Sequence, residues 1–195
     1  MSDAADDKVN EKRRRIVDAA RFLVLRHGLR GTTMEAIARE AQIAKPTLYA
    51  QFADKDAVFA GIVDTMMDDL LAAYDRGMQG DGDIAERVGN ALAGQYGVLA
   101  RTLAGSPHAG ELMSEHKRAG MKFREKDLRA EGEIADLLRV SGADDPDALA
   151  KLICAAAYGI ALKTPDEATM VAGIKLLCRR MIGPTPAWRS GQPAG

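Results

Sequence analysis

The sequence predicts an all-α protein of about nine helices, and three observations predict it. Apolar residues recur at steps of three and four along most of the chain, no stretch alternates with the period of two that a half-buried strand needs, and the breaks carry helix caps and stops rather than hairpin turns. With 195 residues, 47% of them hydrophobic and 28% charged, the chain has ample material for a core and fits one large domain or two small ones. No apolar run approaches the roughly 18 residues of a membrane span, and the acidic start "MSDAADDK" is no signal peptide, so a cytoplasmic protein without membrane contact is expected. Cys154 and Cys178 both lie inside apolar helical patterns and read as buried thiols; no Cys/His spacing suggests zinc.

The first helix is expected from about Asn10 to His27, with Ile16, Ala20 and Leu23 on one face, "KRRR" near its start and Gly28 as its stop. Thr32 with Glu35 reads as a capping box opening a helix barely two turns long, whose inner face is Met34, Ile37, Ala38 and Ala41. After the break "QIA" a second short helix follows, with Pro46 in its first turn and Leu48 and Phe52 pointing inward. Asp54 caps a fourth helix carrying Phe59, Ile62, Val63, Met66, Met67, Leu70 and Leu71. The stretch "RGMQGDGD" then reads as a linker between two functional parts.

Five further helices are expected. Asp83 with Glu86 opens one to Leu103, in which Gly89, Gly94 and Gly97 each cost about 1 kcal/mol against alanine, so a neighbour packs very close or the helix is built to move. Ser106-Pro107 opens a shorter helix to about Arg118, and a polar one from about Met121 to Val140 shows Leu128, Ala135 and Leu138. Asp145-Pro146, then Thr164-Pro165 with Glu167, open the last two. Residues 184–195, beginning at Pro184, read as a disordered tail.

Neither short helix is stable alone. Two such helices at a steep angle across a tight turn are a helix-turn-helix, about 33–52, in which the outer face of "KPTLYAQ" is free to enter a DNA major groove. Charge agrees: Lys and Arg outnumber Asp and Glu between Lys8 and Lys55, and the reverse holds over the remainder. The stretch from Arg13 to Val63, "RRRIVDAARFLVLRHGLRGTTMEAIAREAQIAKPTLYAQFADKDAVFAGIV", resembles the DNA-binding domain of the TetR family of bacterial transcription regulators. The G-x(3)-T-T start, the I-A pair, K-P-T-L-Y-x-x-F and the following D-K all fall at that family's spacing.

The resemblance implies a DNA-binding domain over residues 10–57 and an all-helical ligand-binding and dimerisation domain over 58–183, joined by a long linker helix. It implies phosphate contacts from Thr33, Tyr49 and Lys55, and base contacts from Lys45, Pro46 and Thr47. Two positions depart from the family pattern. Gln42 stands where a glycine is usual, which implies a left-handed backbone at a cost of about 1 kcal/mol, and Ala44 replaces a serine that would cap the next helix.

The penultimate helix, "LICAAAYGIAL", is apolar almost all round and cannot face water on one side. A two-fold dimer covers it, with Leu152, Ala156 and Ile160 facing Met170, Ile174, Leu177 and Met181, and the resemblance implies the same pairing of helices. A dimer suits a palindromic operator on double-stranded DNA. Candidate contacts for a small apolar effector are Met66, Met67, Tyr74, Tyr96, His108, Met113, His116 and Phe123, although methionines and aromatics at helical spacing are more often core. His108, Glu111 and Glu115 share a helix face, but without a second liganding segment neither a metal nor a cofactor is expected. Two other classes remain to be weighed. An enzyme lacks a nucleophile or paired-carboxylate constellation here, and an interaction module with a degenerate helix-turn-helix is disfavoured by the intact K-P-T-L-Y.

Overall fold

The computed structural model describes residues 3–114, 117–164 and 166–183, with side chains from residue 10 onward and excepting 112–119. The described residues form nine helices and no strand: α1 (Asp3–Gly31), α2 (Met34–Glu40), α3 (Lys45–Gln51), α4 (Lys55–Gln79), α5 (Ile84–Leu103), α6 (Ala109–Ser114), α7 (Lys117–Val140), α8 (Pro146–Lys163) and α9 (Glu167–Ile182). They divide into two compact units. The first holds residues up to Asp68 with Leu103–Arg124, and the second holds Asp69–Thr102 with everything from Glu125.

In the first unit the buried side of α1 (Ile16, Val17, Ala20, Leu23, Val24) meets Met34, Ile37 and Ala38 of α2, Leu48 and Phe52 around α3, and Val58, Phe59 and Ile62 of α4. The helix begins at Asp3 rather than Asn10, and acidic residues there suit a helix N-terminus. Gly28 breaks it as the sequence implied, with φ 74.

The cap of α2 is Thr33, one residue later than the sequence suggested. Thr33 accepts the amide of Ala36 at 3.1 Å, while Thr32 is buried and donates its hydroxyl to the Gly28 carbonyl at 2.9 Å. Because the helix starts at Met34, the residue opposite the cap is Ala36, and Glu35 is released from the box.

The second unit packs Tyr74 and Met78 of α4 with Val88, Leu92 and Tyr96 of α5, Ile134 and Leu138 of α7, Ile153 and Ala157 of α8, and Met170, Ile174 and Cys178 of α9. Of the stretch 76–83, residues 76–79 complete α4 and 80–83 form the turn to α5, both flanks lying in this unit, so it is no interdomain linker; the division falls inside α4. Asp83 and Glu86 exchange amide hydrogen bonds as a capping box at 2.9 and 3.1 Å. Close packing explains two of the α5 glycines. A Cβ at Gly94 would stand 3.1 Å from the Ala73 carbonyl oxygen, and one at Gly89 3.4 Å from Lys175 Cα.

Other boundaries also moved. α6 is described over Ala109–Ser114 and α7 from Lys117, residues 115 and 116 lying outside the described residues. On α7 the buried row is Lys126, Ala130, Ile134 and Leu138, in steps of four; Leu128, read as part of the inner face, is exposed. α9 is capped by Asp166, whose side chain accepts the Thr169 amide, not by Thr164, which ends α8; Pro165 lies outside the described residues. The tail expected over 184–195 lies outside them too. Cys178 is fully buried, its thiol pushed up to about 11 by desolvation, and burial pushes Cys154 up to about 12.

Candidate nucleic-acid interface

The α2–turn–α3 segment is held from behind by side chains that reach backbone carbonyls. α2 ends in a turn where Gln42 takes φ 54, the left-handed backbone expected where glycine is usual. Arg15 of α1 donates to the Ala41 carbonyl at 2.9 Å and satisfies an acceptor at that turn. α3 opens on Ala44 without a side-chain cap bond. Its far end is braced by Arg13, which donates to the Gln51 carbonyl at 3.2 Å with its guanidinium 4.1 Å over the Phe52 ring. Two arginines of the "KRRR" run therefore act as struts, a role that their position in a charge run conceals.

The outer face of α3 is open. Leu48 is fully buried, whereas Lys45, Pro46 and Tyr49 are exposed and Thr47 is half-buried; the Tyr49 side chain is 48% exposed. Thr33 is exposed, its oxygen accepting the Ala36 amide and its hydroxyl proton still available to donate.

Lys55 is placed differently from a free phosphate hook. Its ammonium donates to the carbonyls of Leu29 at 2.9 Å and Thr32 at 3.2 Å, tying the α1–α2 turn to the start of α4 and leaving one of three N–H groups. Lys45 Nζ lies 2.9 Å from Glu35 Oε1, and this bond holds the Glu35 carboxyl below its ordinary value.

Residues 16–62, which hold α2, the turn and α3, match the family model described as bacterial regulatory proteins, tetR family. These residues form a TetR-type N-terminal domain. The chain's fold is shared with solved structures of low identity. A TetR-like transcriptional regulator from Rhodococcus sp. RHA1 is 22% identical, with TM-score 0.65 over 89% of this chain and 97% of that one. A transcriptional regulator from Cytophaga hutchinsonii ATCC 33406 is 15% identical, with TM-score 0.67 over 86% and 94%. The fatty acid degradation regulator FadR from Bacillus halodurans is 18% identical, with TM-score 0.65 over 88% and 94%. No curated protein matches the sequence.

The effector candidates fall in both units. Tyr74 and Tyr96 lie in the core of the second unit, and burial raises both phenols above their ordinary value. Met66 and Met67 are buried in the first unit, where Phe123 is half-buried. His116, with Glu115, and the Met113 side chain lie outside the described residues. His108 serves the α1 terminus: its Nδ1 lies 2.7 Å from Glu111 Oε1, Glu111 Oε2 accepts the Leu29 amide at 2.8 Å, and a Cβ on Gly28 would meet His108 Nδ1 at 2.8 Å. Glycine at 28 is thus required both by its φ and by this contact.

Sequence reasoning missed a buried charge. Lys126 is 7% exposed, with its ammonium 2.7 Å from Asp127, 3.3 Å from the buried Gln95 amide oxygen and 5.7 Å from the Tyr96 ring centroid. The signal was present, since Lys126 is in phase with Ala130, Ile134 and Leu138, but a lysine in "REKDL" reads as solvated.

The expected dimer face needs a correction. Met170 and Ile174 are 2% and 0% exposed, inside the core of their own unit, so they are not surface residues. The face of α9 containing Cys178 points inward with them, and a face cannot serve core and partner together. Leu177 and Met181 are half-buried, as are Ala156 and Ile160, and Leu152 is exposed. Around these stand Leu162 and Leu176, also exposed, so α8 and α9 still present an apolar surface. Among the described residues no helix is long and apolar enough to cross a membrane, and no group of three His, Cys, Asp or Glu is placed to hold a metal ion.

Proposed function

We propose that the protein is a homodimeric transcriptional repressor, released from a palindromic operator by a small, largely apolar effector. One observation carries the DNA-binding part: a seven-residue α3 is braced at its inner face and far end, yet leaves Lys45, Pro46 and Tyr49 exposed. In this reading Lys45, Pro46 and Thr47 meet base edges, while Thr33, Tyr49 and the remaining N–H of Lys55 hold phosphates. Residues 10–57 read DNA and residues 58–183 sense ligand and dimerise.

The apolar surface of Leu152, Ala156, Ile160, Leu162, Leu176, Leu177 and Met181 supports pairing of α8 and α9 across a two-fold axis. A two-fold dimer matches half-sites about 34–36 Å apart. The second unit, with Tyr74, Tyr96, Gln95 and Lys126 among aliphatic side chains, supports an effector that is apolar but carries a hydrogen-bond acceptor. To empty the operator such a ligand needs about 5 kcal/mol of preference for the released state.

The test is a gel shift with DNA flanking the protein's own gene, repeated with compounds that raise its melting temperature. A retarded band weakened by Lys45→Ala, and abolished by at least one stabilising compound, is expected. No retardation of any flanking DNA at low salt would sink the proposal.

A further inference from the structure

We propose that Glu35 is a specificity-determining residue that positions Lys45 for base reading and penalises non-specific docking. The inference rests on the DNA-binding reading above. Glu35 stands in the first turn of α2 and Lys45 opens α3, so the pair bridges the two helices of the motif. Oε1 and Nζ are 2.9 Å apart, and the side chains of Lys45 and Glu35 are 58% and 53% exposed.

The bridge follows from the position of the cap. A carboxylate opposite the cap residue would turn back to the helix start. Since Thr33 caps through Ala36, Glu35 is one position out of that frame and its carboxylate is free to reach Lys45. An exposed ion pair adds little to stability, so its effect lies in where the ammonium points. A lysine on a flexible four-carbon stem reaches any phosphate equally well. With one N–H held by Glu35, two remain, the number that the O6 and N7 acceptors of a guanine edge take.

The same carboxylate discriminates by repulsion. If Lys45 leaves Glu35 for a phosphate, an unpaired negative charge is stranded beside a polyanion. If Lys45 takes a guanine edge without leaving, the carboxylate stays neutralised. The wrong complex is thus made costly and the right one is not.

The experiment selects bound sequences from a random duplex library with the wild-type protein, Glu35→Gln, Lys45→Ala and the double variant. The selected duplex and a scrambled one are then titrated at low and physiological salt. Glu35→Gln is expected to bind scrambled DNA about five-fold more tightly at low salt, with a smaller gain at high salt. Its selected consensus is expected to lose the base pair that Lys45→Ala also loses, and the double variant to be no less selective than Lys45→Ala. Both residues are exposed, so unchanged thermal unfolding should accompany these effects. A Glu35→Gln variant that keeps the wild-type consensus and the wild-type ratio of selected to scrambled affinity overturns the inference, as does a consensus indifferent to Lys45→Ala. Wild-type protein that enriches no sequence overturns the DNA-binding reading and the inference with it.

Discussion

Replacing Gly77 by alanine tests the helix crossing that organises the second unit. In an open helical position the change stabilises by about 1 kcal/mol, because glycine loses more backbone entropy on folding. Position 77 is not open. A Cβ there would lie 2.2 Å from the Ala91 nitrogen and 2.4 Å from Ala91 Cα, far inside contact distance and against backbone that no rotamer change can move. α4 and α5 would have to separate by more than 1 Å, roughly the shortfall from van der Waals contact. Overpacking of this kind costs about 1–3 kcal/mol even when the obstacle is a side chain. Net of the propensity gain, we expect Gly77→Ala to destabilise by about 2 kcal/mol or more. Gly132 is the internal control: it lies within α7 of the same unit, is exposed, and has nothing within 4 Å of its added Cβ. Gly132→Ala should therefore stabilise by about 1 kcal/mol. Urea unfolding of both variants, monitored by far-ultraviolet circular dichroism, reads the midpoints directly. A Gly77→Ala midpoint at or above that of Gly132→Ala would refute the crossing and the packing argument for the α5 glycines with it.

Three further outcomes are expected. Lys55→Met should lower stability by about 1–2 kcal/mol through loss of the bonds to Leu29 and Thr32, and reduce the salt slope of DNA binding by about one unit; lost stability with an unchanged slope would confine Lys55 to the turn. Leu162→Glu places a charge on the apolar face of α8, where the side chain is 63% exposed in the single chain, so it should leave the fold intact and yield monomers by light scattering; a soluble dimer moves the interface elsewhere. The Glu111 carboxyl is held below 4.5, first by the Leu29 amide and then by His108, so its bond to α1 contributes above that value and is lost as pH falls through the depressed one. The hydrogen-exchange protection of the Leu29 amide should then drop only as pH falls below 4.5 and be low throughout in Glu111→Gln; a flat profile in the wild-type protein removes the contact.

What was legible in the sequence was whatever is encoded over one or two helical turns. Period, caps and stops placed nearly every helix, because the spacing of apolar residues and the supply of orphan amides are local matters: Asp54, Asp83 with Glu86, and Asp145 cap as read. The outward face of α3 was legible for the same reason, since a seven-residue helix with Leu48 inside it and Phe52 at its end has one side left over; the left-handed Gln42 was implied by the resemblance instead. Tertiary structure decided which of several chemically equivalent groups meets which partner. Nothing local says that Arg13 and Arg15 brace carbonyls, that Lys55 faces inward, that Glu35 pairs with Lys45, or that His108 and Glu111 close on the end of α1. Nor could an apolar count tell which stripe of α9 is core, because Met170 and Ile174 would be buried equally well by their own unit or by a partner. Burial is a property of the neighbour a face meets, and that neighbour is chosen by the chain's path through space rather than by the face itself.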